Sequence, residues 1–240
     1  MKRITKMGVA GILACSLLAA YAGPKDDIHA AARKLAHTSY SWTTTIDLGP
    51  NSNFTPGPTE GKHAADGTTY VSREFNGNTI EFYHKGRTTV VSRDGQLRAF
   101  TAGQSRGGQG NAQRRRGRFM FFGAQAPTAE LQRVLRQTGD FTESDGALVA
   151  DLTQSGATRL LTFRGRRPGG EAPPAPKNAK GSLKVWLKDG NLSKYTLNLQ
   201  GTVTFNGEER DINRTTTVEF KNVGATELKV PQEVKDKLQS

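Results

Sequence analysis

Ser105 lies in a stretch whose spacing matches a nucleophile motif. Gly103–Gly107 reads G-x-S-x-G, the pattern in which a sharp strand-to-helix turn exposes a serine hydroxyl for attack on an ester or amide. The motif works only in that setting, because the strained turn presents the oxygen. Here glycine, glutamine, asparagine and arginine follow with no helical pattern, so we predict no nucleophilic serine.

Histidines and carboxylates are the other residues that could do acid–base or metal chemistry. His29 and His37 share a predicted helix but are eight residues apart, about two turns, which is too far to share one ion. Asp66, Asp94 and Asp189 each precede glycine in a turn dipeptide. Neither a phosphate loop nor a dinucleotide fingerprint occurs. The sequence therefore predicts no metal, no cofactor and no catalytic residues, so the protein is not expected to be an enzyme.

Arginine is concentrated in one segment next to an aromatic cluster. Residues 103–118 contain five arginines, five glycines and no acidic residue. Such a segment could pair anionic headgroups and insert aromatic side chains at a membrane surface. A solvated flexible loop is the plainer interpretation, and nucleic acid is disfavoured because no aromatic residue is interleaved among the arginines. The candidate membrane and anion contacts are Arg106, Arg114, Arg115, Arg116, Arg118, Phe119, Phe121 and Phe122.

The composition is that of an ordinary globular chain with an unusual charge. In 240 residues the hydrophobic share is 35% and the formal net charge is +12. The length suffices for one domain with a sizeable core, and a single cysteine excludes a disulfide framework. A second basic stretch, 164–180, contains four prolines and is expected to be a flexible linker, not a central strand. The stretches 103–118 and 164–180 carry +5 and +4, so the basicity belongs mainly to two loops.

Residues 1–22 have the layout of a secretory signal peptide. Three cationic residues precede the apolar run Met7–Ala20, and Ala20 and Ala22 supply the small-x-small pattern that signal peptidase accepts. The run is too short to span a bilayer comfortably, although an uncleaved anchor is an alternative. Cleavage before Gly23 would export a single domain, 23–240, to the periplasm with a net charge of +9.

Cys15 offers a second interpretation of the N-terminus. Ile12–Cys15 resembles a lipobox, which would make Cys15 the lipidated first residue of a membrane-anchored lipoprotein. Against this, the apolar region before Cys15 is very short, and the residues after it stay apolar where a mature lipoprotein usually turns polar. Both interpretations export the chain.

The exported part begins with one helix and then changes to strands. From Pro24 to Thr38 apolar residues recur at three- and four-residue spacing, which predicts a short helix. From Tyr40 to Leu48 apolar and polar residues alternate, which predicts a half-buried strand. Turn dipeptides such as Asp94-Gly95 then recur about every 8–12 residues as far as Thr101, a spacing typical of an antiparallel meander.

The second half mixes helices and strands. Thr128 is expected to cap a helix that carries Leu131 and Leu135. Ala147–Leu152 predicts a strand, while 153–163 suits a helix only weakly. The remaining predictions are strands at 183–188, 192–199, 203–205 and 215–220 and a terminal helix opened by Pro231.

Apolar residues on one face of the predicted strands are core residues by default. If the core is incompletely filled, the same face would bind an apolar ligand. Sequence shows which faces are apolar but not whether they contact each other or a lipid. The candidate cavity residues are Tyr40, Trp42, Ile46, Tyr70, Phe82, Val185, Leu197, Leu199, Val203 and Phe205.

Three stretches of the chain carry a resemblance to a known family. They are Ala150–Thr153 with Leu160 and Leu161, Lys184–Leu192, and Thr217–Phe220 with Val223, Gly224, Val230 and Pro231. With the order of elements around them, they resemble the periplasmic lipoprotein carriers (LolA-like) and the related mycobacterial lipid carriers (LppX-like). The resemblance covers most of the exported chain, but the two Arg-rich linkers depart from it, and no functional positions are carried over.

The resemblance implies both a fold and a function. The fold would be α+β, with a strongly curved antiparallel β-sheet, a half-barrel, wrapped around two or three short helices. Its function would be non-enzymatic: binding a lipid or a lipoprotein acyl chain in the apolar cavity between sheet and helices, with the basic loops facing anionic headgroups. The alternative is an envelope interaction or structural protein with a filled core and no lipid ligand.

Overall fold

The computed structural model describes residues 23–50, 52, 55–75, 77–101, 125–162, 174–205 and 207–239. At positions 75 and 205 it describes the backbone alone. Several expectations therefore lie outside the described residues: the signal peptide, Cys15, the G-x-S-x-G stretch, the basic loop at 103–118 and most of the linker at 164–180.

The chain forms an open antiparallel half-barrel of eleven strands with four helices in the described part, so the α+β prediction is confirmed. The strand order is β6-β5-β4-β3-β2-β1-β11-β10-β9-β8-β7. The strands are β1 (Tyr40–Asp47), β2 (Thr59–His63), β3 (Thr69–Phe75), β4 (Asn78–Lys85), β5 (Thr88–Arg93), β6 (Gln96–Thr101), β7 (Thr142–Ser144), β8 (Ala147–Asp151), β9 (Lys177–Lys188), β10 (Asn191–Phe205) and β11 (Glu208–Lys221). The helices are α1 (Pro24–Ala36), α2 (Pro127–Leu135), α3 (Gln154–Leu161) and α4 (Gln232–Gln239).

Tight turns join consecutive strands, as the glycine dipeptides predict. At Asp94 and Gly95 both φ angles are positive, 52° and 75°, and Asp189 and Gly190 repeat this with 51° and 70°. Positive φ at both central residues is the geometry of the hairpin turn whose twist matches the flanking strands. These turns fix the register of β5–β6 and β9–β10.

Strand β1 joins the two halves of the sheet. It pairs with β2 on one side and with β11 on the other, so that Trp42 lies opposite both Gly61 and Phe220. The pairing with β11 connects residues that are almost the whole chain apart in sequence. Strands β6 and β7 form the two edges of the sheet.

The predicted linker, 164–180, extends too far toward the C-terminus, because its last four residues belong to a strand. Strand β9 begins at Lys177, where Lys177 pairs with Thr202 and Lys180 with Gln200, and Ala179 is completely buried. The prolines explain the boundary, because Pro176 is the last of them and the residues after it can donate ladder hydrogen bonds. Only the part before β9 can be a linker.

Besides β9, several strands differ from the sequence prediction in extent or existence, among them β11, which spans Glu208–Lys221 where 215–220 was predicted. The predicted strands 192–199 and 203–205 are one strand of 15 residues, β10. Strands β2 and β7 were not predicted. Strand β2 reads TEGKH and β7 reads TES with every residue exposed, so neither has the apolar alternation that reveals a strand.

The helix boundaries follow from their capping residues. Helix α2 starts with Pro127 at its first turn and has no side-chain cap, so the prediction that Thr128 caps it is wrong; Thr128 lies inside the helix. Helix α3 resolves the ambiguous segment, because Thr153 Oγ1 accepts a hydrogen bond of 3.1 Å from the backbone N–H of Gly156. That hydrogen bond satisfies one of the free donors at the helix start.

Both faces of the sheet are apolar, but in different places. The inner face, defined as the face that carries Trp42 and Phe82, contributes to the main core together with α1, α2 and α3. The outer face of β4 and β5 carries Tyr83 and Val90, which pack with Val234 of α4 in a second, smaller core. The fourth helix therefore lies outside the half-barrel and not within it.

Candidate functional site

The inner face carries one cluster of buried apolar side chains, which come from β9, β10, β11, β1, β3 and β4. Side chains alternate across each strand, so every second residue faces inward. The pairings Tyr195–Val218 and Trp42–Phe220 place these residues side by side on that face. The buried apolar residues that these strands contribute to the main core are Tyr40, Trp42, Val71, Ile80, Phe82, Ala179, Leu183, Val185, Leu192, Tyr195, Leu197, Leu199, Val203, Val218 and Phe220.

Helix α1 covers part of this surface with small side chains. It packs on α2, β9 and β10, and Ala31 and Ala32 are buried beside Ile28 and Leu35. Alanine lets the helix axis approach the sheet closely while the longer residues fill the spaces beside it. Their spacing of three and four residues is what predicted the helix from the sequence.

Helix α3 approaches the sheet through a glycine. A Cβ on Gly201 of β10 would lie 2.8 Å from Cδ1 of Leu161 and 3.1 Å from Cα of Ala179. Both distances are too short for ordinary packing, so a glycine at position 201 allows Leu161 to lie against the strand. The helix closes the inner face at the far end of β10.

Trp42 fills the space above the neighbouring strand β2. A Cβ on Gly61 would overlap the six-membered ring of the indole, so the absence of a side chain at Gly61 admits the ring. Trp42 is 4% exposed and lies 5.7 Å from the ring of Tyr40, centroid to centroid. The sequence predicted Trp42 as a residue of the apolar face. It did not indicate that the indole lies over Gly61, because the strand β2 that carries this glycine was not predicted.

Two buried tyrosines tie α2 to the sheet. The hydroxyl groups of Tyr40 and Thr128 are 3.2 Å apart, and the hydroxyl of Tyr195 donates to Glu130 Oε2 at 3.3 Å. Burial raises the pKa of Tyr40 to about 12. It raises the pKa of Tyr195 well above its usual value, and the negative charge of Glu130 acts in the same direction. Both phenols therefore stay protonated and act as hydrogen-bonding anchors in an apolar setting.

Arg214 interrupts the apolar inner face. It lies opposite Leu199 on β10 and on the same face as Ile212 and Thr216. Its Nε is buried and has no hydrogen-bond partner among the described residues. Desolvation lowers the pKa of Arg214, while the charge of Glu130 raises it. The sequence analysis did not single out Arg214, although its position in the alternation of β11 could have revealed it.

Seven of the ten candidate cavity residues are buried on the inner face: Tyr40, Trp42, Phe82, Val185, Leu197, Leu199 and Val203. Ile46 lies on the same face, opposite Thr216, and is half-buried. The side chain of Phe205 is not described.

Tyr70 is the exception, because it lies on the outer face. It pairs with Tyr83, whereas Phe82 pairs with the next residue, Val71. The ring of Tyr70 lies 5.0 Å from that of Tyr83, and its hydroxyl donates to Glu81 at 2.8 Å. The sequence prediction for Tyr70 is therefore wrong by one step of the strand alternation, which moves a side chain to the opposite face.

The candidate membrane and anion contacts, from Arg106 to Phe122, all lie outside the described residues. In the sequence, residues 102–126 lie between β6, at the edge of the sheet, and α2. Within the described part, no helix is both long and apolar enough to cross a membrane.

The described histidines serve packing and hydrogen bonding. His63 is 6% exposed; its Nδ1 lies 3.0 Å from Thr69 Oγ1 and its Nε2 lies 3.1 Å from the carbonyl oxygen of Ala36. These contacts connect the end of α1 to β2 and β3. Burial lowers the pKa of His63. The described residues contain no group of three or more His, Cys, Asp or Glu side chains that could hold a metal ion.

Two open clefts lie away from the inner face. One, of about 330 Å³, is lined by Asp66, Lys85 and residues of α4. The other, also about 330 Å³, lies between α1 and the β9–β10 turn and is lined by Lys34, Leu187 and Gly190 among others. Neither is lined by the candidate cavity residues, seven of which belong to the main core.

Two solved structures are similar to this chain over most of its length. The crystal structure of LprF from Mycobacterium bovis is 11% identical, with a TM-score of 0.41, and the match covers 87% of this chain and 95% of that one. The crystal structure of a LolA superfamily protein from Nitrosomonas europaea is 9% identical, with a TM-score of 0.34, and the match covers 89% of this chain and 97% of that one. Likenesses this distant identify no ligand and no activity.

No protein-family profile matches the chain, and no curated protein matches its sequence. The second structure is described as a member of the LolA superfamily. That is one of the two families that the order of elements and the three sequence stretches resemble.

Proposed function

We propose that this protein is exported and binds, without catalysis, a lipid or the acyl chain of a lipoprotein. The bound acyl chain would lie between the inner face of the half-barrel and its helices. The observation that carries the proposal is the cluster of apolar side chains on the inner face, on which α1 and α3 pack at β9 and β10. The cluster continues beyond them across β1, β3 and β4 to Trp42, Val71 and Phe82.

The apolar inner face supplies the driving force for such a ligand. Transfer of an acyl chain from water stabilises the complex by about 0.8 kcal/mol for each buried methylene group. The half-buried side chains Ile46 and Ile212 lie where the core borders on solvent. An acyl chain would enter along this border and displace side-chain contacts with its own.

Export and membrane contact complete the proposal. Residues 1–22 would direct the chain to the periplasm, with lipidation of Cys15 as the alternative that leaves it anchored. The loops at 103–118 and before β9 would face anionic headgroups, because the two predicted linkers carry most of the excess positive charge. The partner would then be a lipid or an acylated lipoprotein and not a nucleic acid.

Uptake of a fluorescent fatty acid by residues 23–240 tests the binding site directly. Ile46→Trp places a larger ring at the border of the inner face, whereas Thr45→Trp places the same ring on the exposed outer face one residue away. The larger ring would occupy space that the acyl chain needs, so we expect Ile46→Trp to weaken uptake about tenfold. Thr45→Trp should bind as the unmodified protein does.

Thermal unfolding followed by circular dichroism shows whether both variants keep the fold. Equal uptake by the two folded variants would show that the ligand does not bind at the inner face. No uptake by the unmodified protein, together with no lipid in an organic extract of the purified protein, would exclude lipid binding altogether.

The loops need their own experiment. Flotation of the protein with anionic vesicles should decrease when Arg114, Arg115 and Arg116 are all changed to alanine, because three charges at the surface are lost. Flotation with zwitterionic vesicles is the control. Unchanged flotation with anionic vesicles would reject the headgroup role of this loop and leave the interior site unaffected.

A filled core favours the competing function, an interaction or structural protein of the envelope. Leu183, Val185 and Tyr195 are completely buried with contacts inside one cluster. A protein of this kind would bind its partner through surface residues and take up no lipid. The fatty-acid uptake experiment separates the two functions.

A further inference from the structure

Arg214 is a charged group in an apolar part of the structure. Strand alternation places it on the inner face of β11 between Ile212 and Thr216, and the pairing of β11 with β10 places it opposite Leu199, which is 1% exposed. The aliphatic part of an arginine side chain packs well on such a surface. Its guanidinium group, however, needs acceptors.

One donor of the guanidinium group lacks an acceptor among the described residues. Nε of Arg214 is buried without a hydrogen-bond partner, and no ion pair within 4.0 Å joins Arg214 to a described carboxylate. A buried charged donor without an acceptor is costly, and buried polar groups in native proteins are nearly always satisfied. Arg214 is thus suited to receive an acceptor from outside the chain.

The charges around Arg214 leave room for an anion. Glu130 acts on Arg214 electrostatically, but its carboxylate accepts the hydroxyl of Tyr195. Arg133 of the same helix also acts on Tyr195. Glu130 therefore does not supply the missing hydrogen-bond acceptor of Arg214 Nε. An anion from outside the chain could supply it.

We propose that Arg214 binds the anionic group of the lipid, a phosphate or a carboxylate, while the acyl chain lies along Leu199 and the neighbouring inner face. The inference rests on the proposed lipid-binding function and names the class of lipid, an acidic one. A guanidinium fork suits both anions, because two parallel N–H donors match two oxygens. Arg214 would act inside the half-barrel and independently of the basic loops.

The test compares lipids that share acyl chains and differ in the head. The unmodified protein, Arg214→Gln and Arg210→Gln are each titrated with dioleoylphosphatidylglycerol, oleic acid and uncharged dioleoylglycerol. Arg210 is the matched control, since it lies on the same strand, is exposed, and pairs with Glu208 at 3.0 Å. We expect Arg214→Gln to weaken binding of the acidic lipids about tenfold and to leave dioleoylglycerol unchanged. Arg210→Gln should change none of the three.

The two acidic lipids separate the sources of the anion. A loss confined to dioleoylphosphatidylglycerol assigns a phosphate, a loss confined to oleic acid assigns a carboxylate, and a loss of both supports the shared chemistry. Equal losses for all three lipids, or none, would overturn the inference while lipid binding itself stands. If the unmodified protein binds none of the lipids, both the proposed function and this inference fail.

Two further variants keep the inference testable if Arg214→Gln unfolds. Arg214→Lys keeps the charge but loses the fork, so it should retain part of the affinity for the acidic lipids. Glu130→Gln removes the competing carboxylate and should tighten their binding. If Glu130 is instead the structural partner of Arg214, Glu130→Gln would lower the melting temperature. The binding of acidic lipids would then weaken or stay unchanged, and either result would contradict the proposal.

Discussion

One added methyl group at position 61 should destabilise the protein, because the indole of Trp42 occupies the space above Gly61. A Cβ at this position would overlap three ring atoms of Trp42. Trp42 is 4% exposed and packed in the core, so the ring cannot move outward without losing contacts. Gly61→Ala therefore forces either a shift of the indole or a separation of β1 from β2.

The expected loss follows from two opposing effects. Overpacking of a filled core costs about 1–3 kcal/mol, whereas exchange of glycine for alanine stabilises by about 0.4–1 kcal/mol through the unfolded chain. At the middle of the two ranges, the net decrease in the free energy of unfolding is about 1.3 kcal/mol. For a chain of this size that lowers the melting temperature by about 3–5 °C.

Urea unfolding of the variant beside two controls measures this. Gly57→Ala adds the same methyl group where nothing lies within 4 Å, so only the effect on the unfolded chain remains and the free energy of unfolding should rise by about 0.4–1 kcal/mol. In a Trp42→Leu background, Gly61→Ala should cost little, because the ring that it meets is gone. If Gly61→Ala costs as much with Leu at position 42 as with Trp, contact with the indole is not the cause and the reasoning is wrong.

Three further predictions concern other parts of the molecule. Thr153→Ala removes the side-chain cap on the N–H of Gly156 and should lower the free energy of unfolding by about 1 kcal/mol, measured in urea, with Thr153→Ser retaining most of it. Leu197→Ala, at a position 2% exposed, should cost about 2–5 kcal/mol in the same assay. Burial lowers the pKa of His63, so this histidine binds a proton at higher pH in the unfolded chain than in the folded protein. The free energy of unfolding should therefore fall as pH drops through about 6.5, and this fall should end below the pKa of the folded state. In a His63→Gln variant this dependence should be smaller, and an unchanged dependence would assign it to other groups.

The elements that local chemistry specifies could be predicted from the sequence. Helix α1 has apolar residues at helical spacing, and its predicted range, Pro24 to Thr38, is close to Pro24–Ala36 in the structure. Strand β6 and its turn at Asp94-Gly95 follow from a dipeptide that adopts positive φ readily. In each case a few neighbouring residues determine the outcome, so distant contacts do not change it.

The elements that depend on distant partners could not be predicted. Strand β2 has almost no apolar pattern, and its place in the sheet follows from pairing with β1, where Gly61 receives Trp42. Likewise, Thr128 looks like a cap in the sequence, but Pro127 already starts the helix and the hydroxyl of Thr128 meets Tyr40 instead. A single sequence shows neither contact, since its partners are far apart in the chain.

The misplacement of Tyr70 bears on how a binding site can be recognised in this fold. Tyr70 and Phe82 are both aromatic strand residues, yet one packs toward α4 on the outer face and the other belongs to the inner core. An apolar residue on a strand is therefore no evidence of a ligand site, because both faces of the sheet need apolar cover. The inner face also carries a charged group among its apolar side chains, Arg214, whose Nε is buried without a hydrogen-bond partner among the described residues. Exchange of this group separates a ligand site from a packed core. Arg214→Gln should weaken the binding of acidic lipids alone if the inner face binds them, and should change only the stability of the protein if it does not.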